Sequence, residues 1–187
     1  MELLAYIRTL TDFSHESWEI FSQIGHEKDF NKSDNLLDAG KICNEVYFLS
    51  KGCVRIFYEL DGREVNTNFI FENDFATNIK SLISGEISNY SIQAIEAVKT
   101  LEFSKNELLA AYQKSREIET FGRKLLEKLL ATKEDHIDQF KLLSPQQRYN
   151  YLTIHHPEIL KRISLTHIAS YLGISRESLS RIRGRKS

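Results

Sequence analysis

Between residues 30 and 103, turn signals recur every ten to twelve residues: Asp38-Ala39-Gly40, Lys51-Gly52, Asp61-Gly62, Glu72-Asn73-Asp74 and Ser84-Gly85. Regular turns at that interval restrict the region to an all-β sandwich or barrel. The stretch VYFLSKGCVRIFYELDGREVNTNFIF, residues 46–71, is the clearest part. There Asp61-Gly62 stands between two β-rich runs, a strong hairpin signal. Val54, Ile56 and Tyr58 alternate with Arg55, Phe57 and Glu59, so one face reads as more apolar than the other.

The flanks follow a different period. Residues 1–28 read as helical, with Leu3, Leu4, Ile7 and Leu10 on one face and Trp18, Phe21 and Ile24 at three-residue steps. After the β region, Ser104 and Glu107 form a capping pair for a new helix. A long helix is then expected from Glu117 to Leu142. Ile118, Gly122, Leu125, Leu129, Thr132, His136, Gln139 and Leu143 alternate steps of four and three, which is a heptad seam. The dimer interface is expected at Ile118, Gly122, Leu125, Leu129, Thr132 and His136. A second stripe, Leu126, Leu130, Ile137 and Phe140, leaves one side for the β domain and one for a partner helix. A single broad stripe buried within one chain is the alternative.

Toward the C-terminus, Ser144 followed by Pro145 starts another helix, which ends at His155-His156-Pro157. Ser164 can cap a helix over 165–172, Gly173 makes a turn, and Ser175 can cap a second helix from Arg176. Ile168, Ala169, Leu172, Ile174, Leu179 and Ile182 are spaced to share one core, and Ala169 is small enough for a close helix crossing. This is the plan of a helix-turn-helix. On the second helix, Leu179 and Ile182 point inward, while Arg176, Glu177, Ser180 and Arg181 fall on the opposite face. Arginine can bond guanine O6 and N7 bidentately, and glutamate can accept from cytosine N4. Arg183, Arg185 and Lys186 suit phosphate contacts, which position without specifying sequence.

Charge points the same way. The net charge of −1 conceals eight basic and two acidic residues over 144–187, leaving 17 basic and 24 acidic residues in the rest. A basic tail on an acidic body suits a polyanionic partner at one end. With 187 residues, 41% hydrophobic and 27% charged, the chain reads as an ordinary globular protein of one or two domains. It has no apolar run long enough to span a membrane and no secretory signal, so the cytoplasm is the expected compartment. Cys43 and Cys53 are too few for a disulfide scaffold.

The segment ISRESLSRIR, residues 174–183, resembles the recognition helix of the Crp/Fnr family of bacterial transcription regulators. The order of the remaining parts agrees. The resemblance implies an α+β fold. Residues 1–116 would form a β-roll of the cyclic-nucleotide-binding type (a jelly roll) with flanking helices. Residues 117–143 would be the long dimerisation helix and 144–187 the helix-turn-helix domain. Arg176, Glu177 and Arg181 would read bases, supported by Ser175, Ser180 and Arg183. Only Gly184 to Ser187 follow the recognition helix, so the β-hairpin wing of many family members is not expected.

The family's cyclic-nucleotide pocket uses a Gly-Glu pair and, some ten residues later, an arginine. Here the pair falls on Thr77-Asn78 and the arginine near Ser88-Asn89, and no arginine occurs between Arg63 and Arg116. A buried phosphate would lose its charge-assisted bonds unless Lys80 or Lys99 turned inward. Thr77, Asn78, Ser88 and Asn89 are therefore the candidate pocket for some other small effector, and no cofactor is expected. Two cysteines ten residues apart suit neither an iron–sulfur cluster nor a zinc site, and residues 30–103 hold no histidine, so no metal site is expected. No triad, phosphate loop or metal set marks an enzyme. The expected function is a homodimeric, sequence-specific regulator on near-palindromic duplex DNA, with RNA polymerase as a further candidate partner and no membrane partner. The alternative is a small-molecule sensor whose helical tail meets protein instead.

Overall fold

A computed structural model describes residues 2–184, which divide into two compact units. Among these, the first comprises 2–56 and 69–129, the second 57–68 and 130–184. This division differs from the three segments expected from the sequence. The long helix is cut between Leu129 and Leu130, and the tip of the Asp61-Gly62 hairpin belongs with the C-terminal helices.

The first unit opens with α1 (Glu2–Leu10) and α2 (His15–Gln23). The helical reading of residues 1–28 overran, because β1 (His26–Phe30) begins directly after Gly25. The later strands are β2 (Asn35–Leu37), β3 (Glu45–Lys51), β4 (Val54–Leu60), β5 (Arg63–Ile70), β6 (Phe75–Ala76), β7 (Ser91–Ala94) and β8 (Val98–Ser104). They form two four-stranded sheets, ordered β1-β8-β3-β6 and β2-β7-β4-β5. In the first sheet β8 lies antiparallel to both β1 and β3, with Lys28 opposite Thr100 and Phe48 opposite Leu101. The β4–β5 turn has Asp61 and Gly62 at φ 51° and 71°, as a two-residue hairpin of this twist requires. Gly52 is fixed by space as well as by its φ of 89°, since a Cβ there would stand 2.5 Å from the Ala97 carbonyl oxygen.

Alternation along the strands divides the apolar residues between two cores. Tyr47, Leu49, Val54, Ile92 and Val98 fill the interior of the β-roll. Val46, Phe48, Phe75 and Phe103 face the opposite way, toward α1, α2 and the helices α4 (Lys105–Lys114) and α5 (Arg116–Leu142). This second core is aromatic. Phe21 stacks on Phe103 at 4.8 Å between centroids, and Phe121 of α5 meets Phe21 and Phe75 at 5.7 and 6.0 Å. Such pairs add about 0.5–1.5 kcal/mol each beyond their burial. The Glu117 carboxylate accepts from the Ser14 amide (2.8 Å) and hydroxyl (2.7 Å), tying the start of α5 to the cap of α2. Those bonds hold the Glu117 carboxyl below the usual carboxylate range.

On α5, Ile118, Gly122 and Leu125 of the expected dimer seam are buried in their own unit, and Leu129 packs partly against the same core. Thr132 is exposed. The second stripe remains exposed, at Leu126 (46%), Leu130 (61%), Ile137 (48%) and Phe140 (37%).

The second unit contains α6 (Pro145–His155), α7 (Pro157–Arg162), α8 (Leu165–Tyr171) and α9 (Arg176–Gly184). Ser144 and Gln147 complete a full capping box at the start of α6. Its core is Tyr149, Leu152, Ile159, Ile163, Ile168, Leu172 and Leu179. Arg148 joins three of its segments. One guanidinium nitrogen donates to the Phe140 and Leu143 carbonyls at the end of α5 (3.3 and 2.9 Å), the other to the Leu172 carbonyl (2.9 Å). The guanidinium also lies 4.6 Å from the centre of the Phe140 ring. Carbonyls at a helix C-terminus have no partner within the helix, which is what this arginine supplies.

Candidate nucleic-acid interface

Helices α8 and α9 and the turn between them are set by local rules. The Ser164 hydroxyl accepts from the His167 amide (3.2 Å) and starts α8. Gly173 takes φ 68°, a left-handed turn residue, and the Ile174 amide bonds back to the Ala169 carbonyl (3.0 Å). The Ser175 hydroxyl accepts from the Ser178 amide (3.1 Å) and starts α9. Leu179 is 1% exposed and anchors α9 against α8, where Ile168 and Ala169 are buried.

With Leu179 inward, Arg176, Glu177, Ser180, Arg181 and Arg183 are all exposed, and Ile182 is half-buried. The face expected to be polar is therefore the solvent face of α9. Arg181 donates to the Ser178 hydroxyl (3.2 Å). The Glu177 carboxyl is held below its usual range by its own backbone amide, by the Ser175 hydroxyl and by Arg176 and Arg181. It is thus anionic at neutral pH, an acceptor between two cations. Arg185 and Lys186 lie outside the described residues.

Two neighbours of this head carry no sequence signal. The Ser170 hydroxyl of α8 donates to the Glu64 carbonyl (3.0 Å) and accepts from the Asn66 amide (2.9 Å), so the tip of the β4–β5 hairpin is bonded to α8. The Tyr171 hydroxyl meets His136 Nδ1 at 3.2 Å, with Phe140 beside both rings. Burial pushes the Tyr171 phenol up to about 12 and pushes the His136 imidazole down.

Of the candidate effector residues in the first unit, Asn78 and Ser88 bond to each other. Asn78 caps α3 (Ile79–Ser84) by accepting from the Ser81 amide (3.1 Å), and its NH2 donates to Ser88 Oγ (2.7 Å). Ser88 in turn donates to the Tyr90 carbonyl (2.6 Å), and Thr77 donates to the Glu45 carbonyl (2.8 Å). Asn78 and Ser88 are buried, while Asn89 is exposed and stands apart. Lys80 and Lys99 are directed outward, to Glu86 (2.8 Å) and Asp29 (3.7 Å). Cys43 and Cys53 are buried and are not disulfide-bonded. Among the described residues, no three His, Cys, Asp or Glu side chains converge as a metal site, and no helix is long and apolar enough to cross a membrane.

The comparisons agree with this architecture. Residues 27–115 match the model of the cyclic nucleotide-binding domain. The fold is that of Crp/Fnr transcription regulators, as the resemblance implied. The c-di-GMP responsive global regulator CLP of Xanthomonas campestris is 20% identical, with 92% of this chain and 91% of that one covered at a TM-score of 0.69. A Crp/Fnr-family transcriptional regulator from Eubacterium rectale is 17% identical, with 95% and 85% covered at 0.72. FixK2 from Bradyrhizobium japonicum is 21% identical, with 87% and 84% covered at 0.69. No curated protein matches the sequence.

Proposed function

We propose that this chain is a sequence-specific, duplex-DNA-binding transcription regulator that works as a homodimer. The observation that carries the reading is the solvent face of α9. Arg176, Glu177 and Arg181 are exposed there together, on a helix fixed from behind by Leu179. An arginine pair around an ionised glutamate matches the donor and acceptor pattern of a major groove. Arg183 contributes a phosphate contact, and Ser175 and Ser180 flank the readers.

In a dimer the two recognition helices enter successive major grooves about 34 Å apart, so the operator is near-palindromic. Leu130 and Ile137, both exposed on α5, supply the apolar face for a second copy. A cyclic nucleotide is not the effector in this reading. Asn78 and Ser88 are occupied with each other, and Lys80 and Lys99 pair outward with Glu86 and Asp29. The test is fluorescence anisotropy with random duplex over a salt series, followed by selection of bound sequences. Binding that weakens steeply with salt and enriches a palindrome supports the reading. No salt-dependent binding would instead favour a sensor whose helical tail contacts protein.

A further inference from the structure

The first unit has a cavity of about 310 Å³ on the helix-facing side of the β1-β8-β3-β6 sheet, outside the β-roll interior. One wall is α4, which presents Lys105, Leu108, Leu109 and Tyr112, a single face at helical spacing. Opposite stand α3 through Ile83 and α5 through Gly122 and Leu126. The volume reaches the range of small-molecule sites, roughly 300–1,000 Å³, which are largely apolar with a few placed polar groups.

Three observations specify what this cavity suits. Its lining is almost wholly apolar, and apolar side chains stand exposed at its mouth: Ile83 at 66%, Leu109 at 50% and Leu126 at 46%. Lys105 is the single charged side chain lining it, and its ammonium bonds a backbone carbonyl, that of Ile83 (3.4 Å), rather than a carboxylate. Tyr112 is laid against α5 where residue 122 is glycine; a Cβ there would come within 2.5 Å of the phenol oxygen. Burial pushes that phenol up, so it stays a neutral donor. No acceptor bonds it among the described residues. A cation and a neutral donor thus sit seven residues apart on one helix, about 10 Å along its axis, with leucines between them.

We propose that this cavity binds an amphipathic organic anion: a medium-length apolar carboxylate whose head pairs with Lys105, whose body lies over Leu108 and Leu109, and whose far end can offer an oxygen to Tyr112. The site does not depend on the DNA-binding reading.

Calorimetric titration of the full chain with decanoate, 10-hydroxydecanoate and uncharged decanol, all as monomers, tests it. Saturable binding is expected, with both acids tighter than decanol and 10-hydroxydecanoate the tightest. Lys105→Gln weakens both acids about tenfold, the scale of one charge-assisted bond, and leaves decanol unchanged. Tyr112→Phe removes the preference for the hydroxylated acid. Leu109→Trp fills the mouth and blocks all three, with thermal unfolding checking that each variant is folded. Equal affinity for acid and alcohol, or no saturable binding by folded protein, overturns the proposal. So does a Leu109→Trp protein that loses self-association while decanoate has no effect, since the cavity is then covered by a second copy.

Discussion

The Tyr171 hydroxyl stands 3.2 Å from His136 Nδ1, and both rings are partly shielded from water. Burial lowers the imidazole pKa in the folded chain below its ordinary value of 6.5. The folded state therefore binds fewer protons than the unfolded state below about pH 6.5. The stability linked to His136 is fully present above that pH and is lost as the pH falls through the lowered folded value. Urea unfolding at pH 7.5 and 5.5 should show a decrease at the lower pH, and His136→Phe should reduce the difference. An unchanged difference would assign the pH effect to other groups.

Arg148 bonds carbonyls from the end of α5 and from the turn after α8. Arg148→Ala strips three carbonyls of a donor and should cost about 2–4 kcal/mol, since bonds to a charged group are worth about 1.5–3 kcal/mol and are not additive. Arg148→Lys should recover little of it, because a point ammonium cannot reproduce a planar fork that also lies on Phe140. Denaturant midpoints of the three proteins give the comparison.

The two faces of α5 should respond differently to substitution. Leu125→Ala deletes a buried side chain and should lower stability by about 2–5 kcal/mol. Leu130→Glu alters an exposed one and should leave unfolding nearly unchanged while shifting sedimentation toward monomer. Dimers that persist in Leu130→Glu would place the interface elsewhere.

On α9, Arg176→Ala should cost about 1–3 kcal/mol on the selected operator and relax preference at one base position. Arg183→Ala should weaken selected and random duplex alike and reduce the salt slope by about one. Equal losses for Arg176→Ala on both duplexes would remove it from the base-reading set.

The parts legible in the sequence were those governed by local rules. The caps at Ser104, Ser144, Ser164 and Ser175, the Asp61-Gly62 hairpin and the extent of α5 depend on neighbours within a few residues, and each is found where the pattern puts it. The first strand was hidden because Trp18, Phe21 and Ile24 carry a helical period up to Gly25, where the chain turns into β1. Periodicity also identified two apolar stripes on α5 without saying which faces its own core; Phe121, between Ile118 and Gly122, decides that by reaching Phe21 and Phe75. The closed bonding of Asn78 to Ser88, ten residues on, and of Ser170 to a strand more than 100 residues earlier depends on tertiary placement, for which no local pattern exists.

That last bond has an evolutionary meaning. The hairpin tip and the C-terminal helices form one unit although residues 69–129 lie between them in the chain. A head exchanged between relatives at a cut near residue 130 would arrive without Glu64 and Asn66, and Ser170 would have to find water instead. Inheritance of this head is therefore discontinuous: recombination keeps it whole when it carries two separate stretches of the gene together.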